Sequence, residues 1–348
     1  MMHAVIDALC ARVDLSAEQA EALFRDVVAG ALTEVELSAL LVALKAKGET
    51  PAEIAGAARA LRAASAPFER PPYAYADCCG TGGDGQGTVN LSTAVAFVTA
   101  EAGVPVAKHG NRSVSSQCGS ADALEALGAR LDAPAEVSRR ALDEVGFCFL
   151  FAPQYHSGLR HAMSVRRALK VRTIMNLLGP LVNPSAPPIQ VMGIYDSELV
   201  APAARTLGML GCQAALVVHG GGLDEIALHA PTRAARLRDG VVEELTIEPA
   251  DAGVSPAPIE ALRGGGPAAN AAWLRGLLDG RGEPAHRDAV AINAGALLWI
   301  AGRAGSLREG TAMALDALRT GRAGERLSRF VAVSREAGKE ARKEAGHG

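Results

Sequence analysis

The sequence predicts an α/β protein in which a small N-terminal helical domain precedes a large domain with a mostly parallel central sheet flanked by helices. Two observations support this prediction. The first 70 residues show helical apolar periods only, whereas from residue 73 onward short apolar runs alternate with helical segments. Such alternation is typical of parallel sheets that helices cover on both faces. We therefore predict domains at residues 1–70 and 73–340.

Three capping signatures of the S/T-x-x-E/Q type mark helix starts in the first 70 residues. They are Ser16 with Gln19, Thr33 with Glu36, and Thr50 with Glu53. A fourth helix is predicted over residues 2–13. Because each helix is short and amphipathic, the four must pack together or against a partner. A linker rich in proline and small residues is predicted over residues 64–72.

Five short apolar runs in the large domain are predicted to be strands, at residues 73–79, 104–107, 147–151, 189–194 and 214–219. The pair Asp239-Gly240, between two alternating runs, predicts a β-hairpin. Helices are predicted between the earlier strands and again over residues 268–278, 288–301, 307–318 and 325–337. Ligands of parallel sheets bind at the C-terminal ends of the strands, so the site is expected there.

The composition excludes several classes of protein. With 49% hydrophobic residues, the 348-residue chain is able to bury a large core. Its net charge of -3 argues against nucleic-acid binding, which needs a surplus of lysine and arginine on one face. The six cysteines include no CxxC and are expected to be buried thiols. We find no signal peptide and no apolar stretch of membrane-spanning length, and expect a cytoplasmic protein.

A glycine-rich loop follows the first predicted strand. Its glycines are Gly80, Gly82, Gly83, Gly85 and Gly87. Glycine adopts positive φ freely and lets a ligand touch the backbone. Beyond the loop, Asn90 or Ser92 is expected to cap a helix that starts near Thr93. Backbone N–H groups and a helix N-terminus would then converge, which suits a phosphate.

The second predicted strand leads into Lys108, and Arg112 follows. A dinucleotide-binding fold would have an acidic residue at the end of this strand, to bind a ribose diol. Two basic residues favour a phosphorylated ligand instead. No GxxxxGK[ST] sequence occurs, which argues against a P-loop.

Segments 80–84 (GTGGD) and 108–116 (KHGNRSVSS) resemble motifs of the anthranilate phosphoribosyltransferases, and segments 151–156, 165–169, 172–184 and 218–225 are similar to further segments of that family in the same order. The resemblance covers most of residues 75–232. It implies transfer of the 5-phosphoribosyl group from phosphoribosyl diphosphate to the amine of anthranilate, the second step from chorismate to L-tryptophan. It also implies a homodimer through the helical domain, with a helical insertion at about residues 160–185 packing near that domain.

The same resemblance implies a set of residues that bind phosphoribosyl diphosphate. They are Gly80, Gly83, Asp84, Thr88, Asn90, Leu91, Ser92, Thr93, Lys108, His109, Gly110, Asn111, Arg112, Ser113, Val114, Ser115, Ser116 and Ser120. Most lie in the glycine loop, at the helix start or in the segment after the second strand. This set is therefore the expected donor site.

The acceptor, anthranilate, needs a cation for its carboxylate and polar groups beside an apolar slot. The resemblance implies Gly80, Asn111 and Arg166 for this role, and His109 and His156 are expected to line the slot. His109 and Arg166 are also candidates for a catalytic role, although no catalytic residue is assigned with certainty. From the residues alone, Arg166 and its neighbour Arg167 could equally form a solvated helix face.

A helix N-terminus stabilises a nearby negative charge by only about 0.3–1 kcal/mol. A diphosphate carries several negative charges, so its binding also requires cations. Lys108 and Arg112 are two candidates, and Mg²⁺, which bridges carboxylates to substrate phosphates, is the third. Asp224-Glu225 is the only adjacent acidic pair in a glycine loop after an apolar strand, although such a pair could also be solvated surface. The resemblance implies two Mg²⁺ ions per subunit, one held by Ser92 and Glu225 and the other by Asp224 and Glu225.

Two other functions use related scaffolds. A pyrimidine-nucleoside phosphorylase shares the fold and a similar glycine loop, and a non-catalytic relative binds nucleic acid. Asn111-Arg112 and the Asp224-Glu225 pair argue against the first. The net charge of -3 and the intact acidic pair argue against the second.

Overall fold

The computed structural model describes residues 2–113 and 117–345, with side chains described up to residue 336. Its N-terminal part consists of four helices: α1 (Met2–Cys10), α2 (Ala17–Ala29), α3 (Glu34–Lys47) and α4 (Pro51–Ala63). All three predicted capping boxes are present. In the third, the Glu53 N–H donates to Thr50 Oγ1 at 3.3 Å and the Thr50 N–H donates to Glu53 Oε2 at 2.8 Å. Helix α1 ends before residue 13 because Arg12 has a φ of 62°, outside the right-handed helical region.

Seven strands of the described residues form one sheet in the order β3-β2-β1-β4-β5-β6-β7. They are β1 (Ala76–Gly80), β2 (Val106–Gly110), β3 (Phe147–Phe151), β4 (Ile189–Gly193), β5 (Ala214–Gly220), β6 (Thr232–Arg238) and β7 (Val241–Ile247). Strands β1 to β5 are parallel, whereas β6 and β7 are antiparallel. The hairpin prediction is confirmed, since Asp239 and Gly240 have φ of 52° and 77° at the β6–β7 turn.

The helices after the bundle are α5 (Leu91–Glu101), α6 (Ser120–Ala126), α7 (Ala135–Val145), α8 (Ala152–Tyr155), α9 (Met163–Leu169), α10 (Leu178–Leu181), α11 (Val200–Met209), α12 (Pro249–Ala252), α13 (Pro267–Gly276), α14 (Pro284–Ile300), α15 (Leu307–Thr320) and α16 (Arg322–Ala345). Short 3-10 turns occupy Ser157–Ala162, Ile174–Asn176, Ser197–Leu199 and Ile259–Leu262, and a π-helical turn occupies Leu277–Arg281. Within the described residues no helix is long and apolar enough to cross a membrane.

Two apolar clusters bury the two faces of the sheet. One contains Leu40 and Ile54 of the bundle, Val165 and Leu178 of the segment between β3 and β4, and Met192 of β4. The other packs α5, α14 and α16 onto the opposite face. Because the first cluster runs from the bundle into the sheet, the division of the chain into domains near residue 70 stays a prediction.

The chain order creates a switch point between β1 and β4. From β1 the chain adds β2 and β3 on one side of the sheet, and it then returns to add β4 and β5 on the other side. Parallel sheets bind ligands at the carboxyl ends of the strands beside such a point. Both strands end here in glycine, with Gly80 and Gly193 paired in register.

Candidate active site

Asp224 lies directly over the carboxyl ends of β1 and β4. A Cβ atom built on Gly80 would lie 2.1 Å from Asp224 Oδ2, and one built on Gly193 would lie 1.6 Å from the Asp224 carbonyl oxygen. The Gly82 N–H donates to Asp224 Oδ2 at 2.6 Å. The predicted glycine loop and the predicted acidic pair are therefore in contact, and glycine at both strand ends makes this contact possible.

The glycine loop has the backbone shape that its composition predicts. Gly82, Gly83, Gly85 and Gly87 have φ between 64° and 76°. These values favour glycine because a Cβ would be strained there. The segment 262–264 fixes the end of the loop, where the Gly264 N–H donates to the Gly87 carbonyl at 2.8 Å. The middle of the loop is exposed, so its backbone is accessible to a ligand.

The start of α5 differs from the prediction. The helix begins at Leu91, before Thr93, and Asn90 occupies the N-cap position as predicted, but its side chain makes no capping hydrogen bond. Asn90 Nδ2 instead donates to the Cys118 carbonyl at 3.3 Å, and Ser92 lies inside the helix. Asn90 Oδ1 and Thr93 Oγ1 are buried and have no hydrogen-bond partner among the described residues. These two oxygens remain available to a ligand.

Lys108 lies inside β2 and is 2% exposed, whereas the sequence predicts it just beyond the strand. Its Nζ donates to the Cys78 carbonyl at 2.6 Å and to Ser92 Oγ at 3.0 Å. Burial acts to lower the pKa of Lys108, but the acidic groups around it, first the thiols of Cys78 and Cys79 and then nearby carboxyls, raise it by more. Burial raises the pKa of the Cys78 thiol to about 12, whereas the pKa of Asp77 is raised only to about 6, so Asp77 is the carboxylate that stabilises the ammonium near neutral pH.

Asp84, Asp224 and Glu225 lie near one another, and Glu225 also lies near this ammonium. Burial and then the charge of Asp224 raise the pKa of Glu225 to about 8, although Lys108 acts to lower it. Burial and then Asp84 raise the pKa of Asp224 to about 6. Glu225 is therefore largely protonated near pH 7, because three ionised carboxyls in this space would repel one another, and a bound cation would favour the ionised form.

This donor set fits Mg²⁺, a hard ion that prefers oxygen ligands. Within residues 2–113 and 117–336, no three His, Cys, Asp or Glu side chains form a group that could hold a metal ion by itself. Mg²⁺ is commonly bound by one or two carboxylates and completes its shell with water and substrate phosphate. The carboxylates here match that mode of binding, in which the substrate brings the remaining oxygens.

Arg112 is engaged elsewhere than the sequence suggests. Its Nη2 donates to Glu125 Oε1 at 2.7 Å, and its Nη1 lies 3.4 Å from Asp122 Oδ1, both on α6. Arg112 is thus already paired with acidic residues, and its contact with a donor phosphate stays a prediction.

Gly110 packs against Ser120, because a Cβ on Gly110 would lie 2.4 Å from Ser120 Oγ. The predicted site residues Val114, Ser115 and Ser116 lie outside the described residues.

Arg166 lies on α9 and is half-buried. Among the described residues its guanidinium has no hydrogen-bond or ion-pair partner, and burial lowers its pKa. A guanidinium in this position is able to bind an anion such as a carboxylate. Asn111 is exposed, and its Oδ1 accepts a hydrogen bond from the Arg112 N–H at 2.7 Å.

His109 and His156 are buried against each other, with ring centroids 5.2 Å apart. His109 Nδ1 lies 3.1 Å from the Gly179 carbonyl oxygen. Burial, and then His156, lower the pKa of His109 to about 3, and burial lowers the pKa of His156 to about 4. Both rings are therefore neutral near pH 7, and their place in an acceptor slot stays a prediction.

Comparison with known proteins assigns the family. The "Glycosyl transferase family, helical bundle domain" matches residues 3–65, and the "Glycosyl transferase family, a/b domain" matches residues 72–324. An anthranilate phosphoribosyltransferase of Sorangium cellulosum (strain So ce56) is 87% identical over 348 residues, covering 100% of both chains. The chain belongs to the anthranilate phosphoribosyltransferase family.

Solved structures of the family share the fold. The crystal structure of anthranilate phosphoribosyltransferase from Thermus thermophilus has a TM-score of 0.91 at 45% identity and covers 95% of this chain and 99% of its own. The Saccharomyces cerevisiae enzyme in complex with PRPP and Mg has a TM-score of 0.87 at 24% identity and covers 96% of this chain and 98% of its own. At that identity the yeast likeness shows the fold alone.

In this member of the anthranilate phosphoribosyltransferase family, two buried asparagines that sequence reasoning missed hold the site loops. Asn293 Oδ1 accepts from the Ile226 N–H at 2.9 Å, and its Nδ2 donates to the Ile226 carbonyl at 3.0 Å, directly after Glu225. Asn183 Nδ2 donates to Asp77 Oδ2 at 2.9 Å beneath the loop. An asparagine inside an apolar run, as in Ala289–Leu298, is the signal that could have indicated Asn293.

Proposed function

We propose that this protein transfers the 5-phosphoribosyl group of phosphoribosyl diphosphate to the amine of anthranilate, giving N-(5-phosphoribosyl)anthranilate and pyrophosphate. Beyond family membership, one observation carries the proposal. The glycine loop, the Lys108 ammonium and the carboxyls of Asp224 and Glu225 converge at the β1–β4 switch point. A fold-related enzyme without a diphosphate to bind would have no need of this arrangement.

The donor is proposed to bind against the exposed backbone of the loop, the first turn of α5 and the segment 108–120. Two features support this placement. Asn90 and Thr93 each bring a buried oxygen without a partner among the described residues. Lys108 brings a buried ammonium whose charge is stabilised by its neighbours. The loop amides orient the phosphates, and Lys108 offsets their charge without the need to be desolvated on binding.

Mg²⁺, with two ions per subunit, is proposed to be held by Ser92, Asp224 and Glu225, and it would stabilise the negative charge on the departing diphosphate. Other residues of the protein hold the metal-binding loop in place before the metal binds. Gly82 fixes one oxygen of Asp224 through its N–H, and Asn293 fixes the backbone after Glu225. The Asp224 carboxyl is thereby held at the end of β1, and the backbone that carries Glu225 is fixed.

The acceptor is proposed to bind with its carboxylate at Arg166 and its ring beside Gly80, Asn111, His109 and His156. In the reaction, the amine nitrogen forms a bond to ribose C1 while the C1–O bond breaks and pyrophosphate leaves with the electron pair. The amine attacks through its neutral lone pair, so no strong base is required. Its proton then leaves to solvent, phosphate or an imidazole. The low pKa values of His109 and His156 accord with a reaction in which no histidine is indispensable.

Further proposals concern assembly. We propose that the domain boundary lies between residues 65 and 72, because the match to the helical bundle domain ends at 65 and the match to the a/b domain begins at 72.

We propose a homodimer through the bundle, since Val35 and Val42 of α3 are 79% and 44% exposed. We also propose the cytoplasm as the compartment, because both substrates are charged and do not cross a membrane unaided.

One assay tests the function. Anthranilate is fluorescent, and we expect its fluorescence to decrease when protein, phosphoribosyl diphosphate and Mg²⁺ are mixed, with one pyrophosphate formed per anthranilate consumed. Excess EDTA should abolish the decrease. Phosphate-dependent release of the base from thymidine, without any loss of anthranilate, would instead support a nucleoside phosphorylase.

A further inference from the structure

Arg172 connects the segment that follows α9 to the glycine loop. Its Nη2 donates to the Gly83 carbonyl oxygen. Its guanidinium also lies over the ring of Tyr195, with Cζ 4.3 Å from the ring centroid. Tyr195 follows β4, and its backbone N–H donates to Thr81 Oγ1 at 3.0 Å. Arg172 thus bridges the middle of the loop and the strand end beside which the loop begins.

The base of Arg172 is fixed although the side chain is exposed. Ile174 and Met175 are buried in the cluster that contains the helical bundle. The Thr173 N–H donates to Asn176 Oδ1 at 3.0 Å and closes the 3-10 turn Ile174–Asn176. A planar guanidinium that stacks on a ring from a fixed backbone loses little further freedom on forming a hydrogen bond. The bridge therefore forms at a smaller entropic cost than it would from a mobile segment.

The part of the loop that Arg172 contacts has little other support. Gly83 is exposed, has a φ of 75° and carries no side chain to pack. Its carbonyl belongs to the peptide group that joins Gly83 to Asp84, so fixing that oxygen fixes the direction of the Asp84 N–H. Asp84 in turn faces Asp224, whose pKa it raises. Through this contact Arg172 fixes the position of the loop relative to the carboxyl groups of Asp84 and Asp224.

We propose that Arg172 is a positioning residue that couples the two substrate sites. Arg166, on α9, and Arg172, shortly after the end of that helix, lie on one segment, so a short stretch of chain connects the cation expected to bind the acceptor to the clamp on the donor loop. The inference rests on the proposed function. Order in the donor loop then favours acceptor binding, and acceptor binding favours order in the loop, because coupling between two sites is reciprocal.

The test measures initial rates over crossed concentrations of anthranilate and phosphoribosyl diphosphate at fixed Mg²⁺. These rates give both KM values and the interaction factor, by which saturation with one substrate lowers the KM for the other. Arg172→Met is expected to raise the KM for the diphosphate about tenfold, to bring the interaction factor close to 1, and to change kcat much less. Arg172→Lys, which keeps the charge but not the planar fork, should fall between this variant and the unmodified protein.

Three further variants separate the bridge from nonspecific effects. Tyr195→Leu removes the ring and should also lower the interaction factor, whereas Tyr195→Phe keeps the ring and should keep the coupling. Arg167→Met is the matched control, because Arg167 is exposed on the same segment and makes no contact with the loop among its hydrogen bonds. Thermal unfolding checks that each variant folds. If Arg172→Met does not fold, the two Tyr195 variants decide the question.

The outcomes are distinct. If the unmodified protein does not consume anthranilate, the proposed function fails. If it is active but has an interaction factor of 1, or if Arg172→Met leaves the factor and the KM unchanged, the coupling role is overturned while the function stands. A decrease in kcat alone in Arg172→Met would also overturn it.

Discussion

At the scale of single residues, the site depends on two side chains that are absent. Gly80 and Gly193 end neighbouring strands in register, and Asp224 fills the space where their Cβ atoms would lie. The residue pattern predicts Gly80 as the first of several loop glycines, whose use is positive φ, and the family resemblance implies it as a substrate contact. Gly80 itself is required for space, a reason that becomes visible only when the distant Asp224 is in position.

Replacing Gly80 tests this space directly. In Gly80→Ala the new methyl group would lie 2.1 Å from Asp224 Oδ2, so the carboxylate must shift. A misplacement of about 1 Å at a reacting centre costs about 100-fold in rate, and we expect kcat/KM for the diphosphate to fall by that amount. Gly276→Ala is the control, since its Cβ meets nothing within 4 Å inside α13. Steady-state kinetics at saturating anthranilate measure both, and unchanged kinetics in Gly80→Ala would contradict the geometry.

Arg166 supports a prediction about the acceptor. Because its half-buried guanidinium has no partner among the described residues, Arg166→Ala should weaken anthranilate binding without disturbing another contact. We expect the KM for anthranilate to rise at least about tenfold, the loss of one hydrogen bond to a charged group, while the KM for the diphosphate changes little. Arg167→Ala is the neighbouring control. If the KM values for both substrates rose equally, the proposed acceptor site would be wrong.

The buried histidines predict a dependence of stability on pH. Unfolded histidine has a pKa of about 6.5, whereas the pKa values of His109 and His156 are about 3 and about 4 in the folded protein. Between these values the two histidines bind more protons in the unfolded state, so their contribution to the free energy of unfolding decreases as the pH falls from 6.5 towards 4. Each histidine contributes up to about 1.4 kcal/mol per pH unit. Urea unfolding of the protein and of His156→Phe at pH 7, 6 and 5 should show a shallower decrease in the variant; equal slopes would argue against a neutral buried His156.

At the scale of elements, local signals located the strands and helices better than they located their ends. The capping boxes at Ser16, Thr33 and Thr50 depend on residues three positions apart, so the sequence alone determines them. At α5 the sequence located Asn90 at the N-cap, but it could not indicate that the Asn90 side chain bonds to Cys118, a partner far along the chain, and makes no capping hydrogen bond. The contact between the glycine loop and Asp224 was likewise beyond local reasoning. The resemblance to a family indicated which residues belong together, but not the atoms through which they meet.

Helix α14 has a largely apolar sequence, but its Asn293 also fixes the loop that carries Glu225. Asn293 on this helix satisfies both backbone groups of Ile226, and its Nδ2 also donates to the Ala289 carbonyl. Asn293→Leu would leave the buried N–H and carbonyl of Ile226 unpaired, at about 1–3 kcal/mol for each group. We expect the Mg²⁺ concentration for half-maximal activity to rise about tenfold as the loop that carries Glu225 loosens.

A matched control separates loosening of the loop from general destabilisation. Ile54→Ala removes most of a buried side chain from the core of the bundle and should cost about 2–5 kcal/mol without altering Mg²⁺ activation. Mg²⁺ titrations of activity, together with urea unfolding, compare the two variants. Similar shifts in Mg²⁺ activation in both would mean that Asn293 acts only through overall stability.

At the scale of the whole molecule, the helical bundle and the sheet are joined more closely than their sequence patterns suggest. One apolar cluster runs through both, and arginines of α4 reinforce it at helix ends. Arg62 Nε donates to the Leu181 carbonyl at 2.7 Å, and Arg59 Nη2 donates to the Met209 carbonyl at 3.1 Å. Carbonyls at the C-terminus of a helix lack intrahelical partners and carry partial negative charge, so a guanidinium satisfies both needs.

This joint core predicts one cooperative thermal transition for the full chain, with equal calorimetric and van't Hoff enthalpies. Arg62 is the more deeply buried of the two arginines, and burial lowers its pKa to about 10, which leaves it charged near neutral pH. Arg62→Ala should therefore reduce the free energy of unfolding by about 1.5–3 kcal/mol, the value of a hydrogen bond to a charged group. Arg59→Ala, at an exposed position, should cost less than about 1 kcal/mol. Differential scanning calorimetry decides the matter: two separate transitions in the unmodified protein would mean that the bundle and the sheet unfold as independent domains despite their shared core.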